Sequence, residues 1–370
     1  MLLLSLLASN FRNCEQVKID FNRKANLFFG ENGAGKTNLL ETIHYLLLAR
    51  PFRGSEDQEL IMFGRNHLFL RGVGEANKQK FEIEVGLSFA EKQVKFNDKK
   101  LSRFSELFHH FPLVSLAPQD TEIIQGAPLL RRRFLNTLLS QLSPLYFSEL
   151  LAYRKILHHR NRLLSDFKDG KISSMESLPS WTEQLVSSGT NLLLERTRIM
   201  PILQKKVKTN FQEIFATKGE FILTYLPSFS FDYPERIKEI FSQEIQKKQS
   251  LEIKRGLTLI GPHRDDFLLK LNNQNLQIYG SQGEQRIAAI ALKLAQAEIL
   301  GEKKGEAPLI LLDEVFAELD KEKSRNLLKS FKSLGQIFLT AAKEEEIPET
   351  KDFRIFYIKQ GVVSENFLKL

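Results

Sequence analysis

The sequence predicts an α/β fold: mixed β-sheets around one central helix, interrupted by an inserted α-helical arm. Three observations predict it. The apolar run Leu27-Phe28-Phe29 precedes a glycine-rich stretch, Gly30–Thr37, and apolar residues at helical spacing follow it. Elsewhere in the first 120 residues apolar and polar side chains alternate, as in half-buried strands. From Pro128 onward the apolar spacing becomes helical.

Composition describes an ordinary soluble globular protein. The chain has 370 residues, 42% of them hydrophobic and 26% charged, which is enough for two or three domains. No apolar stretch approaches the ~20 residues of a membrane span, so we expect no membrane partner. Met1–Ala8 lacks the basic segment of a signal peptide, and we interpret it as a strand. Cys14 is the only cysteine, which excludes an intrachain disulfide and is consistent with a cytoplasmic location.

The positive charge is concentrated in the middle of the chain. Net charge is +8, and residues 121–254 hold 20 Lys and Arg against 14 Asp and Glu, leaving 33 against 31 elsewhere. This excess favours a polyanionic partner. Scattered solvated lysines would give a similar count, so that alternative stays open.

We expect a discontinuous head, residues 1–120 and 255–370, with an inserted helical arm at 121–254. Helices are predicted from Pro128 to Leu142, Leu145 to Phe167 and Trp181 to Thr217. The third, kinked near Pro201, would be roughly 50 Å long and would protrude from the head. Strand patterns return at Phe221–Leu223 and at Leu257–Leu271.

The glycine-rich stretch reads G-x-x-x-x-G-K-[ST], the phosphate-binding loop of nucleotide hydrolases. Its glycines let backbone N–H groups converge on phosphate oxygens, and the following helix N-terminus adds partial positive charge. Lys36 would reach the β- and γ-phosphates, and Thr37 would offer its hydroxyl to Mg²⁺. A chance glycine turn is the alternative. The predicted nucleotide contacts are Gly30, Glu31, Asn32, Gly33, Ala34, Gly35, Lys36, Thr37 and Asn38.

A second motif completes this chemistry. The apolar strand Leu309–Leu312 ends in Asp313-Glu314, a Walker B pattern. Asp313 would hold Mg²⁺ through water, and Glu314 would orient or deprotonate the attacking water. A surface acidic pair after a core strand is the alternative, but the upstream loop favours catalysis by Lys36, Asp313 and Glu314.

Ser281-Gln282-Gly283-Glu284-Gln285 opens the helix before this strand, at the place of the cassette-ATPase signature. A serine and a glycine at a helix N-terminus form an anion site, although an ordinary N-cap explains them too. In cassette ATPases this signature contacts the γ-phosphate held by the opposite subunit. We therefore expect Ser281, Gln282 and Gly283 to contribute to a nucleotide sandwiched in a dimer.

The chain resembles the RecF family, recombination mediators related to SMC-type cassette ATPases. The matching residues span nearly the whole chain in family order: Gly30–Leu40, Ala117-Pro118 with Asp120, Arg131–Leu135, Gly261–Asp266, Ser281–Gly283, and Asp313 with Glu318-Leu319-Asp320.

The resemblance implies an ABC/SMC-type P-loop ATPase head that uses ATP and Mg²⁺. It also implies a weak, DNA-stimulated ATPase in the bacterial cytoplasm that dimerises with ATP. Its implied DNA target is the single-strand/double-strand junction, where, with RecR and RecO, it helps load RecA at gaps. One departure is Val315-Phe316-Ala317 after Glu314, where a more aspartate-rich run is expected. The departure lies next to Glu314, the predicted catalytic base.

Four further positions carry predictions, each with an alternative. Asp320 would lie in the D-loop of the dimer interface, or cap a helix. Gln119 would sense Mg²⁺ or γ-phosphate, or simply follow the turn at Pro118. Thr340 stands where cassette proteins keep a switch residue, or is a buried strand end. For His263 the alternatives are a turn residue bonded to Asp265 or Asp266 and a metal ligand. The turn residue is expected, since no other His or Cys accompanies it.

Basic residues of the arm are candidates for DNA contact. A solvated helix face is the competing interpretation, and no base-reading element is visible, so binding should depend on shape and charge. The candidates are Arg131, Arg132, Arg133, Arg154 and Lys155, with Arg160 and Arg162.

The first functional hypothesis is an ATP-gated DNA clamp with slow hydrolysis, and three other functions compete with it. A transporter motor would need a membrane-coupling surface and an S-G-G-Q-type signature. A long-armed SMC protein would need heptads sustained far beyond residues 121–254. A binding-only module with a relic site would lack ATP turnover.

Overall fold

The computed structural model describes residues 1–52, 54–215, 219–317, 319–343, 346 and 353–365. The chain divides into two compact units. The first comprises Met1–Asp120 and Ile290–Leu370 with the short run Ile214–Ala216, and the second comprises Thr121–Glu213 and Thr217–Ala289.

Fifteen strands occur in the described residues, numbered in chain order. They are β1 (Leu2–Phe11), β2 (Cys14–Asp20), β3 (Ala25–Phe29), β4 (His67–Ala76), β5 (Gln79–Ser88), β6 (Lys92–Phe96), β7 (Lys99–Lys100), β8 (Leu113–Leu116), β9 (Phe221–Leu226), β10 (Asp266–Leu271), β11 (Gln274–Asn275), β12 (Leu309–Leu312), β13 (Gln336–Ala341), β14 (Phe353–Lys359) and β15 (Val362–Ser364).

Ten α-helices occur in the same described ranges. They are α1 (Lys36–Leu48), α2 (Leu107–His110), α3 (Glu122–Gln125), α4 (Pro128–Leu142), α5 (Pro144–Lys168), α6 (Leu178–Phe215), α7 (Ile237–Arg255), α8 (Leu276–Tyr279), α9 (Gln282–Lys304) and α10 (Lys321–Leu334). None of the described helices is long and apolar enough to cross a membrane.

Two six-stranded sheets build the first unit. One is antiparallel, in the order β2-β1-β4-β5-β6-β7. The other has the order β15-β14-β3-β13-β12-β8 and is parallel except for β15. Apolar residues of α1 join both sheets in one core, so the predicted mixed sheets around a central helix are confirmed.

The parallel sheet determines where the polar residues meet. Strands β3, β13, β12 and β8 are neighbours and run the same way, so their carboxyl ends share one edge. Residues that follow these strands are therefore brought together although they lie far apart in sequence. Ligands of open α/β sheets bind at such an edge.

Helices dominate the second unit, with a small antiparallel sheet, β11-β10-β9. Helix α4 begins at Pro128, whose missing N–H costs nothing in a first turn. Ser143 caps α5 by accepting a hydrogen bond from the Tyr146 N–H at 3.1 Å. Helix α6 continues through Pro201. The three predicted helices of this region are present within a few residues of their expected bounds.

The second boundary of the insertion lies later than predicted. We expected the head to resume at 255, but the second unit continues to Ala289. The physical reason is strand pairing: β10 pairs along its length with β9, from Asp266 opposite Leu226 to Leu271 opposite Phe221. A doubly hydrogen-bonded ion pair from Arg131 to Asp266 adds to this attachment.

The strand predicted at Leu257–Leu271 is correct only from Asp266 onward. Residues 257–265 instead form turns, with the Arg264 N–H bonded to the Gly261 carbonyl at 2.8 Å. Gly261 has a φ of 127°, outside the range of a strand residue with a side chain.

Candidate nucleotide site

The phosphate loop connects β3 to α1, the context that the motif requires. Gly35 immediately precedes the helix with a φ of 111°, a conformation that only glycine adopts without strain. An added Cβ there would also lie 2.6 Å from Asn13 Nδ2. The loop is thus closed by a residue that no other amino acid can replace without distortion.

Lys36 is folded back over this loop. Its ammonium donates to the carbonyls of Gly30 and Glu31 at 2.8 and 3.0 Å, and its side chain is 3% exposed. Burial lowers the pKa of Lys36, and the carboxylates of Glu314, Asp313 and Glu346 partly offset that effect. A cation therefore stands at the loop where phosphate charge would arrive.

Thr37 meets Asp313 across 276 residues of sequence. The threonine hydroxyl donates to Asp313 Oδ1 at 2.8 Å, and the aspartate is 2% exposed. Thr340, at the end of β13, donates to the same oxygen at 3.0 Å. Thr37 and Asp313, the predicted metal residues, are thus in contact. The Asp313 carboxylate lies between two hydroxyl groups, and that of Thr340 helps to orient it.

Glu314 follows directly and is partly open to solvent. Its carboxylate lies 3.9 Å from the Lys36 ammonium, and its side chain is 41% exposed. Its φ of 49° is left-handed, which is costly for a residue with a side chain, and its N–H donates to Thr340 Oγ1 at 2.8 Å. Thr340 thus anchors both acidic residues and was underestimated from sequence, where only its place after the strand was visible.

These side chains could hold Mg²⁺. The ion prefers hard oxygen ligands, and the Thr37 hydroxyl and the Asp313 carboxylate provide them within hydrogen-bonding distance of each other. The described part of the chain contains no cluster of three or more His, Cys, Asp or Glu residues able to hold a metal ion. A Mg²⁺ here would therefore rely on phosphate oxygens and water for its remaining ligands.

For Gln119 and Asp320 the structure shows the ordinary alternatives, a turn residue and a helix cap. Gln119 is exposed in a 3₁₀ turn, Pro118–Thr121, after β8, the strand next to β12. Asp320 caps α10, accepting from the Lys323 N–H at 2.9 Å. Hydrogen bonds from Lys323 lower the pKa of Asp320. Glu318, also assigned to this motif, lies outside the described residues.

Ser281 forms a capping box at the start of α9. Its hydroxyl and N–H both donate to Glu284 Oε2 at 2.8 Å, and its Oγ lies 3.3 Å from the Glu284 N–H. Ser281, Gln282 and Gly283 are all exposed. This geometry satisfies the N-cap alternative and leaves the three residues accessible to a ligand.

Two of the arm arginines are buried, which corrects their assignment as DNA contacts. Arg131 is 4% exposed and holds both oxygens of Asp266, at 2.6 and 2.9 Å. Arg160 is 1% exposed and pairs with Glu252 at 2.6 Å. Their guanidinium groups are occupied inside the second unit and cannot reach a phosphate backbone.

The other arm residues remain accessible. Arg132 is half-buried and donates to the Asp265 carbonyl at 2.8 Å. Arg133, Arg154 and Lys155 are exposed, and the Arg162 side chain is 73% exposed. The predicted basic surface is therefore smaller than the sequence suggested.

His263 bonds different partners from those expected. Its ring contacts the Tyr153 hydroxyl at 2.6 Å and the Thr258 carbonyl at 3.2 Å, not Asp265 or Asp266. Burial lowers its pKa from 6.5 to about 4, against a smaller opposing effect of the Thr258 hydrogen bond. The histidine is thus a neutral structural group.

Two residues whose contacts matter, Asn13 and Arg196, were not found from the sequence. Asn13, in the β1–β2 turn, donates to the Ala34 carbonyl of the phosphate loop at 3.3 Å, and an asparagine in a short turn gives no sign of that contact. Its neighbour Cys14 is 1% exposed, and burial raises the pKa of its thiol to about 11. Arg196, buried against Asp265 at 2.8 Å, was indistinguishable from the solvated charges of α6.

Comparisons with known proteins agree with this geometry. A family model described as the RecF/RecN/SMC N terminal domain matches residues 2–364. The DNA replication and repair protein RecF of Bacillus mycoides (strain KBAB4) is 34% identical over 369 residues, 98% of each chain. The chain belongs to the RecF family.

Solved structures show the same relationship. The recombination mediator protein RecF with ATP, described as part of the RecFOR pathway, superposes with a TM-score of 0.90 at 33% identity, covering 98% of this chain and 97% of that one. An Smc head bound to the C-terminal winged-helix domain of ScpA is 14% identical with a TM-score of 0.58, over 98% and 96% of the two chains. That second likeness shows the fold alone.

Proposed function

We propose that this protein is an ATP-dependent DNA-binding protein of recombinational repair and replication. In this proposal an ATP-driven homodimer clamps DNA at single-strand/double-strand junctions in the cytoplasm. With RecR and RecO as partners it promotes RecA loading at gaps, and slow hydrolysis resets it. The main support is one observation: Lys36 and Thr37 meet Asp313 and Glu314 from opposite ends of the chain.

Each of these residues has a separate role in the proposal. Lys36 neutralises the β- and γ-phosphates. To do so, its ammonium must give up its hydrogen bonds to the Gly30 and Glu31 carbonyls. Thr37 and Asp313 hold Mg²⁺, which would supply positive charge to the phosphate oxygens when bound. Glu314 orients or deprotonates the attacking water. The Glu314 side chain is 41% exposed, so water can reach its carboxylate, and it lies 3.9 Å from the Lys36 ammonium.

The signature residues supply the dimer part of the proposal. Ser281, Gln282 and Gly283 are exposed at a helix N-terminus, where backbone N–H groups favour an anion. Ile278 and Tyr279, just before them, are 67% and 68% exposed, unusual for large apolar side chains. A second copy carrying nucleotide would cover both features.

DNA contact is assigned to one face of α5. Between Glu149 and Asp166 the helix contains no acidic residue. Arg154, Lys155, His158 and Arg162 are all exposed and follow one another at spacings of one, three and four residues along the helix. Such a stripe suits a phosphate backbone bound without base readout. Arg133 belongs to the same set of accessible cations.

The decisive experiment measures ATP hydrolysis with and without gapped DNA, together with light scattering in ATP. We expect slow turnover that DNA stimulates, and a dimer only with ATP. Lys36→Arg should abolish that dimer, because a planar guanidinium does not fit the space of a 3%-exposed ammonium. An unchanged ATP-dependent dimer in this variant would contradict the assigned role.

Glu314→Gln should still bind ATP and should hydrolyse it at least about tenfold more slowly, because the amide cannot accept the proton of water. Its dimer should therefore persist longer on DNA. Glu322→Gln, an exposed glutamate of α10, is the matched control and should turn over normally. Normal turnover in Glu314→Gln would place the base elsewhere, and no turnover in the unmodified protein would favour the binding-only module.

A further inference from the structure

Two turns from distant parts of the first unit meet at one carbonyl of the phosphate loop. The Ala34 carbonyl accepts from Asn13 Nδ2 at 3.3 Å, in the turn between β1 and β2. It also accepts from the Gly361 N–H at 2.8 Å, in the turn between β14 and β15. Both turns therefore hydrogen-bond to the phosphate loop at Ala34, the residue just before Gly35.

The first turn is held firmly against the phosphate-loop helix. Arg12 donates to Glu41 Oε2 of α1 at 3.1 Å and to Ser55 Oγ at 2.9 Å. Asn13 Oδ1 in turn accepts from Asn38 Nδ2 of α1 at 2.8 Å. Because the Asn13 amide is bonded on both sides, its orientation is determined and its donor faces Ala34.

The second turn is shaped to reach the same place. Gln360 and Gly361 have φ values of 51° and 81°, as in a two-residue hairpin of type I′. A Cβ added to Gly361 would lie 2.0 Å from the Asn13 carbonyl oxygen. The two turns are thus in contact, and the close approach requires glycine.

The consequence for the loop follows from peptide geometry. The Ala34 carbonyl and the Gly35 N–H belong to one planar trans peptide and point in opposite directions. Holding the carbonyl toward the two turns therefore holds the Gly35 N–H away from them. That N–H is one of the donors a phosphate loop aims at its anion.

We infer that Asn13 and the Gln360–Gly361 turn are positioning elements that fix the Ala34–Gly35 peptide for nucleotide phosphate. The inference rests on the proposed nucleotide binding and extends it to residues outside the motif. They touch the loop and not the ligand. Removing them should therefore weaken the recognition of the phosphate chain and leave the base and sugar contacts unchanged.

The test compares ATP, ADP and AMP as competitors of a fluorescent ATP analogue. Asn13→Ala removes the donor to the Ala34 carbonyl and the acceptor of Asn38. ATP and ADP should therefore bind about tenfold more weakly while AMP changes by less than about twofold. Gly361→Ala should act in the same direction, since its methyl group would displace the turn. Gly64→Ala is the matched control: its φ is 79°, and a Cβ there meets nothing within 4 Å.

The outcomes separate the two claims. If the unmodified protein binds neither ATP nor ADP, the proposed function fails and this inference with it. If it binds them but Asn13→Ala and Gly361→Ala bind as Gly64→Ala does, only the inference is overturned. A parallel weakening of all three nucleotides together with a lower melting temperature overturns it too, because that is the signature of general destabilisation. Should Gly361→Ala fail to fold, the strain-free Asn13→Ala decides by the same comparison.

Discussion

The candidate nucleotide site was predicted from sequence motifs, whereas the basic surface of the second unit was predicted from charge alone. At the first, Thr37 bonds Asp313 and the Lys36 ammonium lies 3.9 Å from the Glu314 carboxylate. In the second, Arg131 and Arg160 are buried against carboxylates while Arg154 is exposed. A motif specifies backbone conformation and so directs its side chains. A charge count specifies only composition, and the partner of each arginine decides its place.

The largest expected effect tests the buried side of this comparison. Arg196→Met removes the cation that holds Asp265 and the Pro262 carbonyl, at 2.8 and 2.6 Å. The uncompensated carboxylate should lower the free energy of unfolding by about 3–5 kcal/mol. Urea denaturation followed by circular dichroism measures it.

Arg198→Met, two residues along the same helix, is the control. Its side chain is 71% exposed and pairs with Glu195 at 2.7 Å, so its loss should cost less than about 1 kcal/mol. Equal losses of unfolding free energy in the two variants would contradict the idea that burial determines how much each arginine contributes to stability.

A smaller effect tests the exposed side. Replacing Arg154 and Lys155 together by glutamine should weaken DNA binding at low salt. The decrease of log K with log salt should also become shallower, by roughly 2 in slope. The physical reason is that each phosphate contact releases counterions. Fluorescence anisotropy with a gapped duplex at several salt concentrations measures the slope.

The matched control removes the same charge from another surface. Lys99 and Lys100 form the exposed edge strand β7, and their double replacement by glutamine should leave the slope nearly unchanged. A wild-type slope in the α5 variant would move the DNA surface elsewhere, as would an equal loss in the β7 variant.

The smallest expected effect concerns pH. Burial lowers the pKa of His263 to about 4, whereas an unfolded histidine titrates near 6.5. As pH falls, the histidine is therefore protonated first in the unfolded state. The contribution of neutral His263 to the free energy of unfolding is fully present above pH 6.5 and is lost progressively between about 6.5 and 4. In His263→Gln this loss should be smaller, and unfolding free energies at pH 7 and pH 5 measure it. Parallel pH curves for the two proteins would show that another group controls acid stability.

The parts of the fold that local sequence determines were predicted correctly. Apolar spacing located β12 and α4 because both periodicities are visible within a few residues. The boundary at 255 was wrong because β10 pairs with β9, about forty residues away, and no local pattern records that pairing. The false strand over 257–265 had a visible warning, since Gly261 and Pro262 interrupt it.

The candidate site divides in the same way. Thr37 and Asp313 belong to motifs with fixed neighbours, so their contact could be expected. The support of Thr340 and Asn13 depends on contacts across 27 and 21 residues, which the fold alone creates. The burial of Arg131 depends on Asp266, 135 residues further on. Charge and spacing cannot anticipate such partners.

Cys14 has a practical consequence for watching this molecule at work. Maleimide dyes react with thiolates, and a thiol that is 1% exposed with a pKa of about 11 is almost entirely protonated and shielded at neutral pH. It is the chain's single cysteine. A new cysteine on the surface, for example at Ser180, would therefore take a fluorophore selectively in the otherwise unmodified sequence. Energy transfer between labelled copies could then report their approach in real time.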